Sequence, residues 1–152
     1  MGISEISSGQ LGDISKLDKR QRGQLAELAF MRKAASLGFA VSRPWQEGER
    51  YDVIVRADST LWRVQVKSAL NPRSSRPSYC VATTAGRDYQ RSLYSSSEID
   101  FLAAYIFAKD VWYIFPVDII SKRRSVWLRP ESAKCRHRQY HEAWDLLKPK
   151  LN

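Results

Sequence analysis

The spacing of hydrophobic and polar positions changes several times along the chain, and each change predicts an element. Asp18 and Gln21 have the three-residue separation of an N-cap pair, the sequence onward to Leu37 is helical, and Gly38 stands where a C′ glycine belongs. Leu25, Leu28, Ala29 and Ala35 are expected to form the buried stripe of this helix, with Glu27, Phe30, Met31 and Ala34 on a neighbouring face. Three strand-like runs follow over 39–43, 51–55 and 61–68, and the Pro-, Ser- and Arg-rich stretch 69–78 is a loop. The runs 99–107 and 111–117 are almost continuously apolar, as strands covered on both faces should be. A turn or short helix at 118–122, a strand at 125–128 and a terminal helix over 140–147 complete the pattern. Tyr140, Trp144 and Leu147 would form that last helix's core stripe. No internal repeat or domain boundary is visible. The expectation is a flexible arm over 1–16 and one α/β domain over 17–152, a mixed sheet flanked by helices.

Composition narrows the function. The chain has 152 residues, 43% of them hydrophobic and 11% aromatic, which is enough for one self-sufficient core. Lys and Arg number 25 against 16 Asp and Glu, for a net charge of +9. That balance argues against an acidic, disordered chain and for a polyanionic partner. Two widely separated cysteines, Cys80 and Cys135, suggest a reducing compartment. No apolar run has membrane-spanning length, and residues 1–13 hold no signal-peptide core, so a soluble cytoplasmic domain without membrane partners is expected.

Chemistry concentrates around the third strand. In Trp62-Arg63-Val64-Gln65-Val66-Lys67, side chains alternate, so Trp62, Val64 and Val66 face one way and Arg63, Gln65 and Lys67 the other. One side suits a core and the other a cleft. Asp52 begins the preceding apolar run, where a carboxylate is costly if buried alone and sensible beside a cation. Glu27 lies mid-helix, off the polar face and beside Phe30 and Met31. Singly, each has an ordinary explanation: an arginine partner for Asp52, a solvated strand face for Gln65 and Lys67, an ion pair with Lys33 for Glu27.

In their order, Glu27, Asp52, Gln65 and Lys67 resemble the PD-(D/E)xK nuclease superfamily. Glu27 and Asp52 are 25 positions apart, and Asp52 and Gln65 are 13 apart, which accommodates a helix remainder, a strand and a hairpin. The segments RGQLAELAF, GFAVSRP, YDVIV and WRVQVKSA look like the branch containing intron-encoded homing endonucleases, itself similar to archaeal Holliday-junction resolvases. IDFLAAYIF, DVWYIFPV and YHEAWDLL extend that likeness to Leu147. The resemblance implies a restriction-endonuclease-like α/β fold and Mg²⁺-dependent hydrolysis of DNA phosphodiesters, with Mn²⁺ as a substitute. It implies that Asp52, the Gln65 side-chain oxygen and the Val66 carbonyl hold the metal, and that Glu27 ligates directly or through water. The metal and Lys67 would offset charge on the reacting phosphate, and Lys67 would position or deprotonate the attacking water. Gln65 departs from the acidic residue of the motif. Its oxygen can ligate a hard cation without contributing charge, and intron-encoded members with glutamine there imply a functional variant. A homodimer or homotetramer is implied as well, because one small chain carries one site while a duplex has two strands.

Basic residues add an expected phosphate-contacting surface. Arg73, Arg76, Arg87 and Arg91 follow the motif strand, and 122–138 holds Lys122, Arg123, Arg124 and four further cations against Glu131 alone. Cys135, His137 and His141 supply three of the four ligands that structural zinc requires, so they are assigned to the basic C-terminal loop. Trp112, Tyr113 and Phe115 are core residues rather than a stacking platform for bases. The leading expectation is a site-specific homing endonuclease on duplex DNA. Two alternatives stand beside it: cleavage of four-way junctions or other DNA structures, and a DNA-binding module whose site Gln65 has made degenerate. No RNA-recognition motif is present.

Overall fold

Asp18 and Gln21 form a reciprocal capping box. The Asp18 carboxylate accepts from Gln21 N at 2.8 Å, and the Gln21 side-chain oxygen accepts from Asp18 N at 3.0 Å. In the computed structural model, which describes residues 13–73, 75, 77–86 and 91–149, this cap starts helix α1 (Lys19–Ser36). Gly38 follows with φ +91°, a left-handed turn that ends the helix without a side-chain clash. Of the arm expected over 1–16, residues 1–12 lie outside the described residues, and Ile14–Lys16 form a 3-10 turn capped by Asp13.

The buried face of α1 is not the expected one. Ala26, Phe30 and Ala34 turn inward, while Ala35 is exposed and Leu28 is 57% exposed. Apolar residues occur all round this helix, so spacing alone selects no face. The sheet takes the row in which one large ring sits between two alanines, because that row lets the backbones approach. Phe30 then packs edge-on to Trp112 and against Trp144, each with ring centroids 5.4 Å away.

Among the described residues nine strands follow in chain order: β1 (Ala40–Ser42), β2 (Val53–Ala57), β3 (Thr60–Ala69), β4 (Tyr79–Ala82), β5 (Thr84–Ala85), β6 (Ser92–Leu93), β7 (Phe101–Ile106), β8 (Val111–Pro116) and β9 (Ser125–Leu128). A five-stranded mixed sheet has the order β1-β2-β3-β7-β8, antiparallel except for β3 with β7. Alternating side chains feed two cores. Val64, Val66, Phe101, Ala103, Trp112 and Ile114 meet α1, Trp144 and Leu147 on one side. On the other, Leu102, Ala104, Ile106, Tyr113 and Phe115 meet the β4–β9 ribbon and helix α2 (Val117–Ile120). The two apolar runs are thus covered on both faces, as their composition requires. Strands β4, β5 and β6 lie where no strand was expected, being only two to four residues long and defined by distant partners such as β9.

The helix expected over 140–147 does not form. Two 3-10 segments, Arg138–Tyr140 and Trp144–Leu147, flank Glu142 at φ +50°. Glu142 N donates to Trp112 O at 2.8 Å, and its carboxylate accepts from Trp112 N at 2.8 Å and from the Trp144 indole at 2.6 Å. The segment therefore satisfies the outer edge of β8, and that edge pairing outweighs helix formation. Tyr140, Trp144 and Leu147 are buried all the same. Among the described residues, no helix is long and apolar enough to cross a membrane.

The two faces of α1 separate by mutation. Phe30→Ala should cost about 3–5 kcal/mol in denaturant unfolding, by the loss of a fully buried ring. Leu28→Ala should stay within about 0.5 kcal/mol of the parent protein. Comparable losses for both would restore the originally expected stripe.

Candidate active site

Strand β2 pairs with β3 so that Val53 faces Val64, which sets Asp52 opposite Gln65 just past the end of the ladder. Strand β3 runs on to Ala69 with β7 as its ladder partner there, so among the described residues its other side carries no strand beyond Val64. The Asp52 side chain takes over where the β2 backbone stops. One carboxylate oxygen accepts from Val66 N at 2.8 Å and from Gln65 Nε2 at 2.5 Å. Gln65 Nε2 also donates to Val66 O at 3.2 Å. Lys67, on the same strand face as Gln65, is half-buried, with Nζ 5.7 Å from the centre of the Tyr94 ring. Glu27 approaches from α1, its carboxylate held by Arg43 Nη2 at 2.8 Å. The Glu27 side chain is 18% exposed and that of Arg43 56%. The four positions read from the sequence thus converge.

Their electrostatics are mutually dependent. Burial pushes the Asp52 carboxyl up, against the opposing pull of the Val66 amide, Lys67, Arg43 and the Gln65 amide. Burial also raises Glu27, the Asp52 charge raises it further, and Arg43 opposes both. Burial holds the Lys67 ammonium below the ordinary lysine value; Asp52 counteracts this, and Lys19 and Arg91 add to it. Two partly dry carboxylates therefore face each other with too little compensation.

That charge imbalance fits a divalent cation. The available donors are all oxygens (two carboxylates, the Val66 carbonyl and the Gln65 amide oxygen), a hard set suited to Mg²⁺ or Mn²⁺. Among the described residues, no group of three or more His, Cys, Asp or Glu side chains is arranged to hold a metal. Gln65 presents its N–H groups to Asp52, so its oxygen reaches the same point only after the terminal amide turns over. His137 packs edge-on to Phe115, at 5.4 Å between ring centres, and His141 lies against Tyr113 at 5.0 Å.

These residues line a cleft of about 1440 Å³ with Asp52, Gln65, Val66 and Lys67 in its wall. Among the described residues, eight basic side chains line it against three acidic ones. Of the cations expected at phosphate, Arg73, Arg91 and Arg124 are among them; Lys122 and Arg123 do not line it, and Arg76 and Arg87 lie outside the described residues. Sequence reasoning missed Lys19, Arg20, Arg22 and Arg43. A signal existed for the helical ones. The first turn of α1 has no acidic residue, although the helix dipole favours acids there, and a run of cations at that end suits an incoming anion. Arg43 and Tyr94 carry no such mark, because only folding brings them to Glu27 and Lys67.

Comparison with known proteins gives the family. Residues 17–147 match the sequence profile of the PD-(D/E)XK endonuclease family. No curated protein sequence matches the chain. The solved structure of a bacterial homing endonuclease, I-Ssp6803I, is similar with a TM-score of 0.76 at 29% identity, covering 86% of this chain and 93% of that one. The profile spans α1, β2 and β3 and with them all four converging positions, and the chain belongs to the PD-(D/E)XK endonuclease family.

Proposed function

We propose that this nuclease is a Mg²⁺-dependent endonuclease that cuts duplex DNA at specific sites, as a homing enzyme, with Mn²⁺ able to replace Mg²⁺. The observation that carries this reading is the convergence of Glu27, Asp52, Gln65 and Lys67 in one basic cleft. Similarity to a bacterial homing endonuclease over 93% of its chain supports the biological class. In this reading Asp52, Glu27, the Val66 carbonyl and the turned Gln65 amide hold the cation, which supplies Lewis-acid charge at the scissile phosphate. Lys67 lies over the Tyr94 ring within the electrostatic reach of Asp52, where its ammonium offsets phosphate charge and its lowered proton affinity suits it to order the attacking water. Lys19, Arg20, Arg73, Arg91 and Arg124 hold the DNA backbone.

A second reading has its own observation. Gln65 donates to both Asp52 and Val66 O, and among the four converging positions only Glu27 and Asp52 are carboxylates, which a degenerate DNA-binding module would also show. The variants separate the two. Asp52→Ala should lower cleavage by about 1,000-fold or more while DNA binding persists, because it removes a metal ligand and no cleft cation. Gln65→Glu should shift half-maximal activity to lower metal concentration, and Gln65→Ala should be severely impaired. Cleavage products are measured across a Mg²⁺ titration. A parent protein that cuts nothing while Gln65→Glu cuts readily identifies the binding module, and undiminished cutting by Asp52→Ala refutes the site.

The raised carboxyls predict a pH dependence. Glu27 and Asp52 keep their protons to higher pH than ordinary carboxyls, so as pH is lowered metal affinity should begin to fall while the pH is still above 4.5, the usual glutamate value. For stability the sign is opposite. A folded pKa above the unfolded one stabilises at low pH, and that contribution is lost as pH rises through the folded value. Glu27→Gln should consequently keep, or raise by ~2 °C, the pH 7 melting temperature despite losing the Arg43 pair. Thermal scans across pH 4–8 check this; a marked drop at pH 7 would show that the ion pair outweighs the burial penalty.

Cutting both strands requires two such sites, so the reading includes a homodimer or homotetramer. Sedimentation should show assembly at micromolar protein on target DNA. A persistent monomer there contradicts it.

A further inference from the structure

Each of the two site carboxylates already has an oxygen engaged by a donor from the protein itself. Asp52 is held by Val66 N and Gln65 Nε2, and Glu27 by Arg43. The Arg43 case differs from the others, because its guanidinium is more than half exposed, follows β1 directly and lines the same cleft as the DNA-facing cations. It also acts on both carboxylates, lowering the proton affinity of Glu27 and of Asp52. A guanidinium binds carboxylate and phosphate oxygens with the same planar fork, so either can satisfy it.

Resting on the reading of this cleft as a metal-dependent nuclease site, we propose that Arg43 is an exchangeable counter-cation. It holds Glu27 until a divalent ion takes the carboxylate, and it then transfers to a phosphate of the bound DNA. Arg43 is thus a positioning residue that couples metal uptake to DNA binding. The coupling must be reciprocal: releasing Arg43 from Glu27 strengthens its hold on phosphate, and a phosphate that draws Arg43 away frees Glu27 for the ion. The exchange is inexpensive because the Arg43–Glu27 pair is solvent-accessible on the arginine side.

The test begins with Mn²⁺ binding to the DNA-free protein, read by calorimetry or electron paramagnetic resonance. Arg43→Ala should bind Mn²⁺ roughly tenfold more tightly than the parent protein, since a competing charge beside Glu27 is gone. Arg91→Ala removes an equal charge from the same cleft without touching Glu27 and serves as the control for the general field. In a Glu27→Gln background, Arg43→Ala should give little further change, so the pair is strongly non-additive. Equal gains from Arg43→Ala and Arg91→Ala, or no gain from Arg43→Ala, overturn the proposal. Asp52→Ala is titrated in parallel. If Mn²⁺ binding does not depend on Asp52, the site reading itself fails, a result distinct from a failure of the Arg43 exchange alone. The second measurement is the salt dependence of DNA binding. With Ca²⁺ as the probe ion, Arg43→Ala should reduce the log–log slope by about one, and in chelator it should leave the slope unchanged. An equal reduction in both conditions would show Arg43 to be a permanent phosphate contact and would overturn the exchange.

Discussion

The antiparallel register of β2 on β3 is the constraint on which the rest of the site depends. Because Val53 pairs with Val64, Asp52 falls opposite Gln65 at the point where β2 ends and β3 continues. The carboxylate then replaces the missing strand, taking the Val66 amide that a β2 carbonyl would otherwise accept. A slip of one residue would move Asp52 to the other face of the sheet and leave the Val66 N–H unpaired. The two valines in register bury themselves under α1, so the hydrophobic core enforces the alignment that the chemistry needs.

From that point outward, the sheet serves as a frame for charges it cannot fully neutralise. Strand β7 runs parallel to the free half of β3 and holds it straight, which keeps Lys67 pointing over Tyr94. Arg63 secures the far end of β3. It donates to both Asp100 oxygens and to the carbonyls of Ser96 and Ser97, fixing the loop that follows Tyr94. Against this rigid floor the carboxylates of Asp52 and Glu27 stand partly desolvated and mutually repelling. Such an arrangement costs folding stability and keeps the site poised for a cation, a trade common where function requires an unfavourable arrangement of groups.

Glutamine in the place of the motif's second acid changes the character of the site. A carboxylate at position 65 would add a third repelling charge beside Asp52. The amide instead donates to Asp52 and to Val66 O, so the apposed strands hold together without any ion. In the proposed metal site, stability and chemistry would compete for one rotatable group, since the same amide would have to turn before its oxygen could serve as a ligand.

The sequence by itself determined the elements that local chemistry controls. The Asp18–Gln21 cap, the Gly38 stop, the alternation along 62–67 and the two runs buried on both faces all appear in the structure. The order and spacing of Glu27, Asp52, Gln65 and Lys67 were legible too, because Glu27, Gln65 and Lys67 lie on elements whose period fixes the direction of the side chain and Asp52 directly precedes β2. Only the tertiary structure decided which row of α1 is buried, since apolar residues surround that helix and the sheet chose Phe30 with its flanking alanines. The same holds for the C-terminal segment, where helical spacing yielded to the unsatisfied edge of β8. Arg43 beside Glu27 and Tyr94 beneath Lys67 were invisible beforehand, because sixteen and twenty-seven residues of chain separate these partners. Contacts of that range follow from how the elements pack, and no local pattern encodes them.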